Sequence, residues 1–392
     1  MTGISTGLDT FREAGWKRFR RARLGLLCNQ ASVDRGLRPA AGVVAEALPG
    51  RLRAVFGPQH GYGGEDQDNM VETDHSRHPE LDVPIFSLYS DQREPAAGML
   101  ELIDVLLVDL QDVGTRVYTF PSTLLNCMRA AAASGRRVAV LDRPNPIGGR
   151  VVEGNILAPD MHSFVGPARL PMRHGMTMGE LALFFKDTLG IDVDLEVIPM
   201  VGWRRGMSWK DTRLRWIMPS PNMPGPETAL VYPGQVLWEG TNVSEGRGTC
   251  RPFEIFGAPF LRPERVLSMT PDEALKGAFF QPFSFRPTFH KWAERICRGF
   301  LIHVLDAESF QPYLASLALL WAILRDAGNE FEWRHPPYEY ETERMPIDLI
   351  LGSRDIRRAL EKGKSPLAVR DEWREELAEF KAWRKAYLIY RD

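Results

Sequence analysis

Five short runs before residue 143 are apolar on both of their alternating faces: Arg23–Asn29 (RLGLLCN), Leu52–Gly57 (LRAVFG), Pro84–Leu88 (PIFSL), Val105–Leu110 (VLLVDL) and Arg137–Asp142 (RVAVLD). A strand with one wet face alternates apolar and polar residues, so runs of this kind have to be covered from both sides. Helix-like stretches at Ala40–Leu48 and Ser122–Ser134 fall between them. The alternation predicts an α/β fold, a Rossmann-like, doubly wound, mostly parallel sheet with helices on both faces. Near Leu261 the pattern changes to strand-like LIHVL and helices at Pro312–Ala327, Ser353–Lys362 and Ala368–Tyr387. The expected organisation is a Rossmann-like domain over residues 1–262 and a smaller α+β auxiliary domain over residues 263–392.

None of these strands runs into G-x-G-x-x-G, and no G-x-x-x-x-G-K-[ST] occurs, so the chain lacks the phosphate cradles of dinucleotide and P-loop proteins. No cofactor is expected. The strands end instead in polar side chains: Gln30, then Gln59-His60-Gly61, then Asp109, Gln111 and Asp112, then Asp142-Arg143-Pro144-Asn145. Ligands of open α/β sheets bind beyond those ends, so a shared cleft is expected there. A formal net charge of −2 gives no electrostatic reason to expect nucleic acid or an anionic membrane as partner. Cys28, Cys127, Cys250 and Cys297 form no metal-type pair and read as free thiols of a reducing compartment. With no apolar leader visible near Met1 and no stretch of membrane-spanning length, the expected location is the cytoplasm. The oligomeric state stays open.

The stretch LWEGTNVSEGRGTCRPFE, Leu237–Glu254, holds the densest convergence of charge and glycine. Glu239 follows an apolar Val-Leu-Trp, where partial burial raises a carboxyl pKa toward that of a general acid. Glu245 stands beside Arg247, which favours the ionised form of a base or stabiliser. His60 lies on a Gly-flanked loop with Glu65, Asp66, Asp68 and Glu72. His60, His75 and His78 match no standard metal-ligand spacing, so no metal is expected. In DLQDVGTRVYTF, one of Asp109 and Asp112 orients a loop and the other faces the ligand, with Arg116 and Tyr118 nearby. Thr177 and Glu180 form a capping-box pattern, and His174 just before it either reaches a ligand or bridges loops. There is no G-x-S-x-G elbow and no cysteine in a reactive setting. Paired carboxylates working without metal or nucleotide point to glycoside hydrolysis.

Taken in order, PQHG, LDVPIFSLYS, DVLLVDLQDVGTRVYTF, VLDRPNPIGG, RHGMTMGELA, PSPNMP, YPG, EGTNVSEGRGT and PFEIFGAPF resemble the NamZ-like exo-β-N-acetylmuramidases. The resemblance runs from about Gly7 to the C-terminus. It implies a Rossmann-like catalytic domain with an auxiliary domain, and release of N-acetylmuramic acid from the non-reducing end of peptidoglycan fragments. A small carbohydrate or muropeptide is then the partner, in cell-wall turnover or recycling. The catalytic candidates are Glu239, Glu245, Asp112 and His60. The substrate-binding candidates are Gln59, Glu72, Arg116, Tyr118, Arg143, Asn145, His174, Asn222, Asn242 and Arg247. Many family members read PEHG where this chain reads PQHG, and the amide of Gln59 has no titratable proton. Two other readings are a non-catalytic carbohydrate-binding protein on the same fold and a metal-dependent hydrolase built on the His60–Glu72 loop.

Overall fold

The computed structural model describes residues 3–67, 70–90 and 92–392; Asp68 lies outside the described residues. The first part of the chain supplies β1 (Leu24–Cys28), β2 (Leu52–Gly57), β3 (Ser76–Arg77), β4 (Pro84–Ser87), β5 (Val105–Asp109) and β6 (Arg137–Leu141). A two-stranded pair follows, β7 (Glu153–Ile156) with β8 (Pro171–Arg173), and then β9 (Leu195–Ile198). Seven strands form one sheet in the order β3-β4-β2-β1-β5-β6-β9, parallel except for the short β3–β4 pairing. The Rossmann-like expectation is met, and each of the five apolar runs is a strand within a residue or two of its expected ends.

The sheet is dry on both sides because its strands alternate between two apolar clusters. Leu24, Leu26 and Cys28 of β1 join Leu8, Phe11, Val44 and Leu107 on one face. Leu27 points to the other face, with Val108, Leu124, Met128 and Val140. Each such aliphatic side chain contributes about 1.5–3 kcal/mol by leaving water. The helix Phe120–Ala133 covers that second face and starts with a proline in its first turn, where a missing N–H costs nothing. Strand order reverses between β1 and β5, which makes the ends of those two strands the switch point of the sheet.

The smaller part is an antiparallel sheet, β10 (Ile255–Ala258), β11 (Ala278–Phe285) and β12 (Cys297–Val304) in the order β10-β12-β11, backed by helices. Its apolar side chains are continuous with the large core. Trp238, fully buried, stacks on Phe256 with ring centroids 4.6 Å apart, in the same cluster as Val108 and Leu317. The Pro- and Gly-rich stretch Met218–Pro259 contains the helix Pro226–Gln235, entered through Pro226 after Gly225. Gly234 lets that helix meet the helix Pro312–Ala327, since a Cβ there would overlap the Pro312 carbonyl. The single charged helix expected over Ala368–Tyr387 is broken into Pro366–Glu372, Arg374–Trp383 and a 3₁₀ turn at Arg384–Tyr387. Trp373 packs against Tyr313 while Phe380 packs against Phe184, and one straight helix does not serve both surfaces.

Candidate active site

The cleft forms where the loop after β2 meets the loop before the helix Phe120–Ala133 and a loop from the C-terminal part. Gln59, His60, Tyr118, Asn222, Glu239 and Arg247 line it, joined by Thr119, Ser220, Tyr232, Tyr338 and Glu339. Its free space is about 30 Å³, room for a water.

Two carboxylates face this space from different directions. Glu239 sits on the 3₁₀ turn Val236–Gly240, whose apolar residues anchor it to the core. Its Oε1 accepts from Arg247 Nη2 at 2.8 Å and its Oε2 from the Tyr338 hydroxyl at 2.7 Å. Glu339 comes from the segment Pro337-Tyr338-Glu339-Tyr340 and is buried. Its Oε2 accepts from the Tyr89 hydroxyl at 2.7 Å and its Oε1 from Gln59 Nε2 at 3.2 Å. Gln59 is fixed in turn, with Oε1 accepting from Thr119 Oγ1 at 2.6 Å and Nε2 also donating to Tyr89 at 3.0 Å. Desolvation raises the pKa of Glu339; the hydrogen bond from Tyr89 opposes this, and the nearby Glu239 charge adds to the rise. A raised pKa is the direction that proton donation requires.

The backbone is strained on both sides of the cleft. His60 has φ 71° and Glu339 φ 46°, in the left-handed region that bulky residues rarely adopt. The His60 Nδ1 bonds to the Asp66 carbonyl at 2.6 Å, which assigns a proton to Nδ1.

Glu245 is buried behind Arg247 and does not line the cleft. Lys291 Nζ is 2.8 Å from its Oε2, with Arg247 Nε at 3.2 Å and His290 Nδ1 at 3.4 Å from Oε1. Burial alone would raise its pKa, but Lys291, His290 and Arg247 together lower it to about 2. Glu245 thus stays ionised and holds Arg247 from behind while Glu239 takes it from the front.

The polar ends of β5 and β6 turn inward. Asp109 accepts from Arg143 Nε at 2.5 Å and Nη2 at 2.9 Å, so the pair closes the switch point between β1 and β5. Asp112 accepts from the Gly114 amide at 2.7 Å and lies 3.4 Å from His174 Nε2, away from the cleft lining. Asn145 donates to the Met176 carbonyl at 3.0 Å and accepts from the Ile147 amide at 3.2 Å. Arg116, fully buried, donates to the carbonyls of Asn155, Leu170, Ile350 and Leu351, and desolvation lowers its pKa to about 10. It ties the two parts of the chain together. Asn222 donates to the Gln67 carbonyl at the cleft edge, Asn242 to the Glu330 carbonyl, and exposed Glu72 accepts from Tyr340 at 3.3 Å. The Thr177–Glu180 capping box is present. Among the described residues no group of three or more His, Cys, Asp or Glu could hold a metal ion, and no helix is long and apolar enough to cross a membrane.

Glu339, Tyr338, Tyr89 and Thr119 are absent from the sequence candidates. Glu339 stands 280 positions from Gln59, its hydrogen-bond partner. Its one local signal is a carboxylate between two tyrosines after Pro-Pro, in PPYEYE.

Models of the family described as exo-beta-N-acetylmuramidase NamZ match the chain twice, the N-terminal model over residues 24–227 and the C-terminal model over residues 230–390. A peptidoglycan beta-N-acetylmuramidase NamZ of Bacillus subtilis (strain 168) is 38% identical over 387 residues, covering 99% of this chain and 91% of the relative. A crystal structure of a DUF1343 family protein from Bacteroides fragilis NCTC 9343 aligns over 100% of both chains with a TM-score of 0.89 and 30% identity. A second DUF1343 structure from the same organism aligns over 100% of both chains with a TM-score of 0.77 and 27% identity.

Proposed function

The chain belongs to the exo-β-N-acetylmuramidase NamZ family, and on that premise we propose how its cleft hydrolyses a glycosidic bond. It is a glycoside hydrolase that releases N-acetylmuramic acid from the non-reducing end of peptidoglycan fragments. The observation that carries the mechanism is the unequal pair of carboxylates. Glu339, desolvated and with its pKa raised, donates a proton to the departing glycosidic oxygen. Glu239, paired with Arg247 and Tyr338, faces the positive charge that develops at the anomeric carbon, where a water replaces the departing oxygen and gives its proton to a carboxylate of the pair. Arg247 keeps Glu239 in one orientation, and Glu245 keeps Arg247 in place. His60, Tyr118 and Asn222 contact the sugar from the facing wall.

Gln59 cannot act as an acid, and in this arrangement it does not need to. Its amide, fixed by Thr119, orients the carboxyl of Glu339 instead. The sequence assignment of the acid to Glu239 therefore moves to Glu339, on the ground of environment. Asp112, Arg116, Arg143, Asn145 and His174 support the walls through internal bonds. The four unpaired thiols support a reducing compartment, and with it cytoplasmic recycling of muropeptide fragments.

The test is release of the chromophore from a chromogenic N-acetylmuramide by the purified protein, with EDTA present. Turnover under those conditions is expected. Binding without turnover would favour the non-catalytic reading that Gln59 suggests, and turnover only on adding divalent metal would favour a metal hydrolase.

A further inference from the structure

We propose that the open groove beside the cleft is a subsite for a carboxylate carried by the substrate. The proposal rests on the glycosidase reading above and names a part of the substrate that reading leaves unassigned.

The groove has a volume of about 460 Å³ and shares Glu339 with the cleft. Its walls carry Arg93, Arg129, His162 and Arg344, with Tyr340 and Glu341. The charges are unequally committed. Arg344 is held by Glu341, Nε to Oε2 at 2.7 Å, and by the carbonyls of Asp160 and His162. Arg93 lies over the Tyr340 ring, 3.0 Å from its centroid, which fixes a guanidinium beside Glu339. Arg129 projects from the helix Phe120–Ala133, is exposed, and has no carboxylate partner among the described residues. The local field is positive at His162, whose pKa is lowered by burial and then by Arg129 and Arg344.

An anion entering this groove thus meets Arg129 and Arg93, while the one carboxylate on its outer wall is already paired with Arg344. Guanidinium groups suit a planar carboxylate because their parallel N–H donors match its two oxygens. A neutral sugar leaves those donors unused. N-acetylmuramic acid differs from N-acetylglucosamine by a lactyl ether that ends in a carboxylate. A muropeptide converts that carboxyl to an amide and carries other carboxylates farther out on its peptide. Both sources present the same chemistry to the groove.

The experiment is calorimetric binding of N-acetylmuramic acid, N-acetylglucosamine and N-acetylmuramyl-L-alanyl-D-isoglutamine to the intact protein and to Arg129→Glu and Arg129→Lys variants. At low salt the intact protein should bind a carboxylate ligand about two- to tenfold more tightly than N-acetylglucosamine, as expected of a partly screened charge pair. Tightest binding of N-acetylmuramic acid identifies the lactyl group as the source, and tightest binding of the dipeptide ligand identifies the peptide. Arg129→Glu should abolish the preference and leave affinity for N-acetylglucosamine unchanged, while Arg129→Lys retains most of it. An unchanged preference in Arg129→Glu, or equal affinity of the intact protein for all three ligands, overturns the proposal. Chromophore release measured in parallel keeps the two readings apart. Turnover without a carboxylate preference removes the groove alone, and a preference without turnover removes the hydrolase reading alone.

Discussion

Glu245 and Glu339 are both buried glutamates in networks of hydrogen bonds, and their acidities move in opposite directions. Around Glu245 stand Lys291, Arg247 and His290, and its pKa falls to about 2. Around Glu339 the hydrogen-bond donors are neutral, a phenol and an amide, and the nearest like charge is Glu239; its pKa rises. Burial penalises the charged form at both sites. What differs is how much cationic charge stands close: Lys291, His290 and Arg247 together outweigh burial at Glu245, whereas at Glu339 the one guanidinium nearby, Arg93, acts only weakly. The first network suits a support and the second the proposed proton donor.

The largest expected effect comes from removing that donor. Glu339→Gln should cost about 10²–10⁴-fold in kcat on a natural glycoside. Its folded pKa lies above the unfolded value, so the ionised form costs stability as pH rises between the two. The amide removes that cost, and the variant should melt no lower than the parent near neutral pH. A matching loss of melting temperature would turn Glu339 into a structural residue and erase the contrast.

Glu245→Gln should do the reverse. It breaks the ion pair of a fully buried carboxylate with the half-buried Lys291 and should cost about 3–5 kcal/mol in denaturant unfolding. The folded fraction should keep turnover within about tenfold, since Arg247 retains Glu239. The pH dependence has a definite sign. Because the folded pKa is depressed, this stabilisation is present above the unfolded value near 4.5 and disappears as pH falls toward 2. The parent should lose more stability across that window than the variant.

Gln59→Glu sharpens the comparison from the other side. A second carboxyl within hydrogen-bond reach of Glu339 makes the two share a proton. The basic limb of the pH profile of kcat/KM should move to higher pH. An unmoved limb would separate Glu339 from proton donation. The smallest effect is expected for Asp112→Asn, which weakens an amide contact and the His174 pairing. A loss of about 1 kcal/mol in stability with kcat/KM nearly unchanged is the expected result, measured by melting and by initial rates.

The sheet was legible in the sequence because its physics is local. Two-sided apolar runs such as VLLVD have one solution, and β1, β2, β5 and β6 occupy the positions their composition requires. The convergence of Gln59, His60, Tyr118, Asn222, Glu239 and Arg247 on one cleft was partly legible, since each stood in a polar stretch beside a core element. The inward turn of Asp109, Arg143, Asp112 and His174 was not. A polar side chain at a strand end reads the same whether it meets a ligand or a neighbour one strand away. Glu339 was least legible, because neither periodicity nor spacing connects PPYEYE to a loop 280 residues earlier.

The assignment of Glu339 as proton donor is tested most directly by varying the leaving group. A dinitrophenolate departs without a proton, whereas a sugar alkoxide requires one. Glu339→Gln should lose about 10²-fold or more on a sugar leaving group and remain within about tenfold of the parent on a 2,4-dinitrophenyl N-acetylmuramide. Glu239→Gln, which acts at the anomeric carbon whichever group departs, should lose activity on both. An equal loss of Glu339→Gln on the two substrates would contradict the account and place the acid elsewhere.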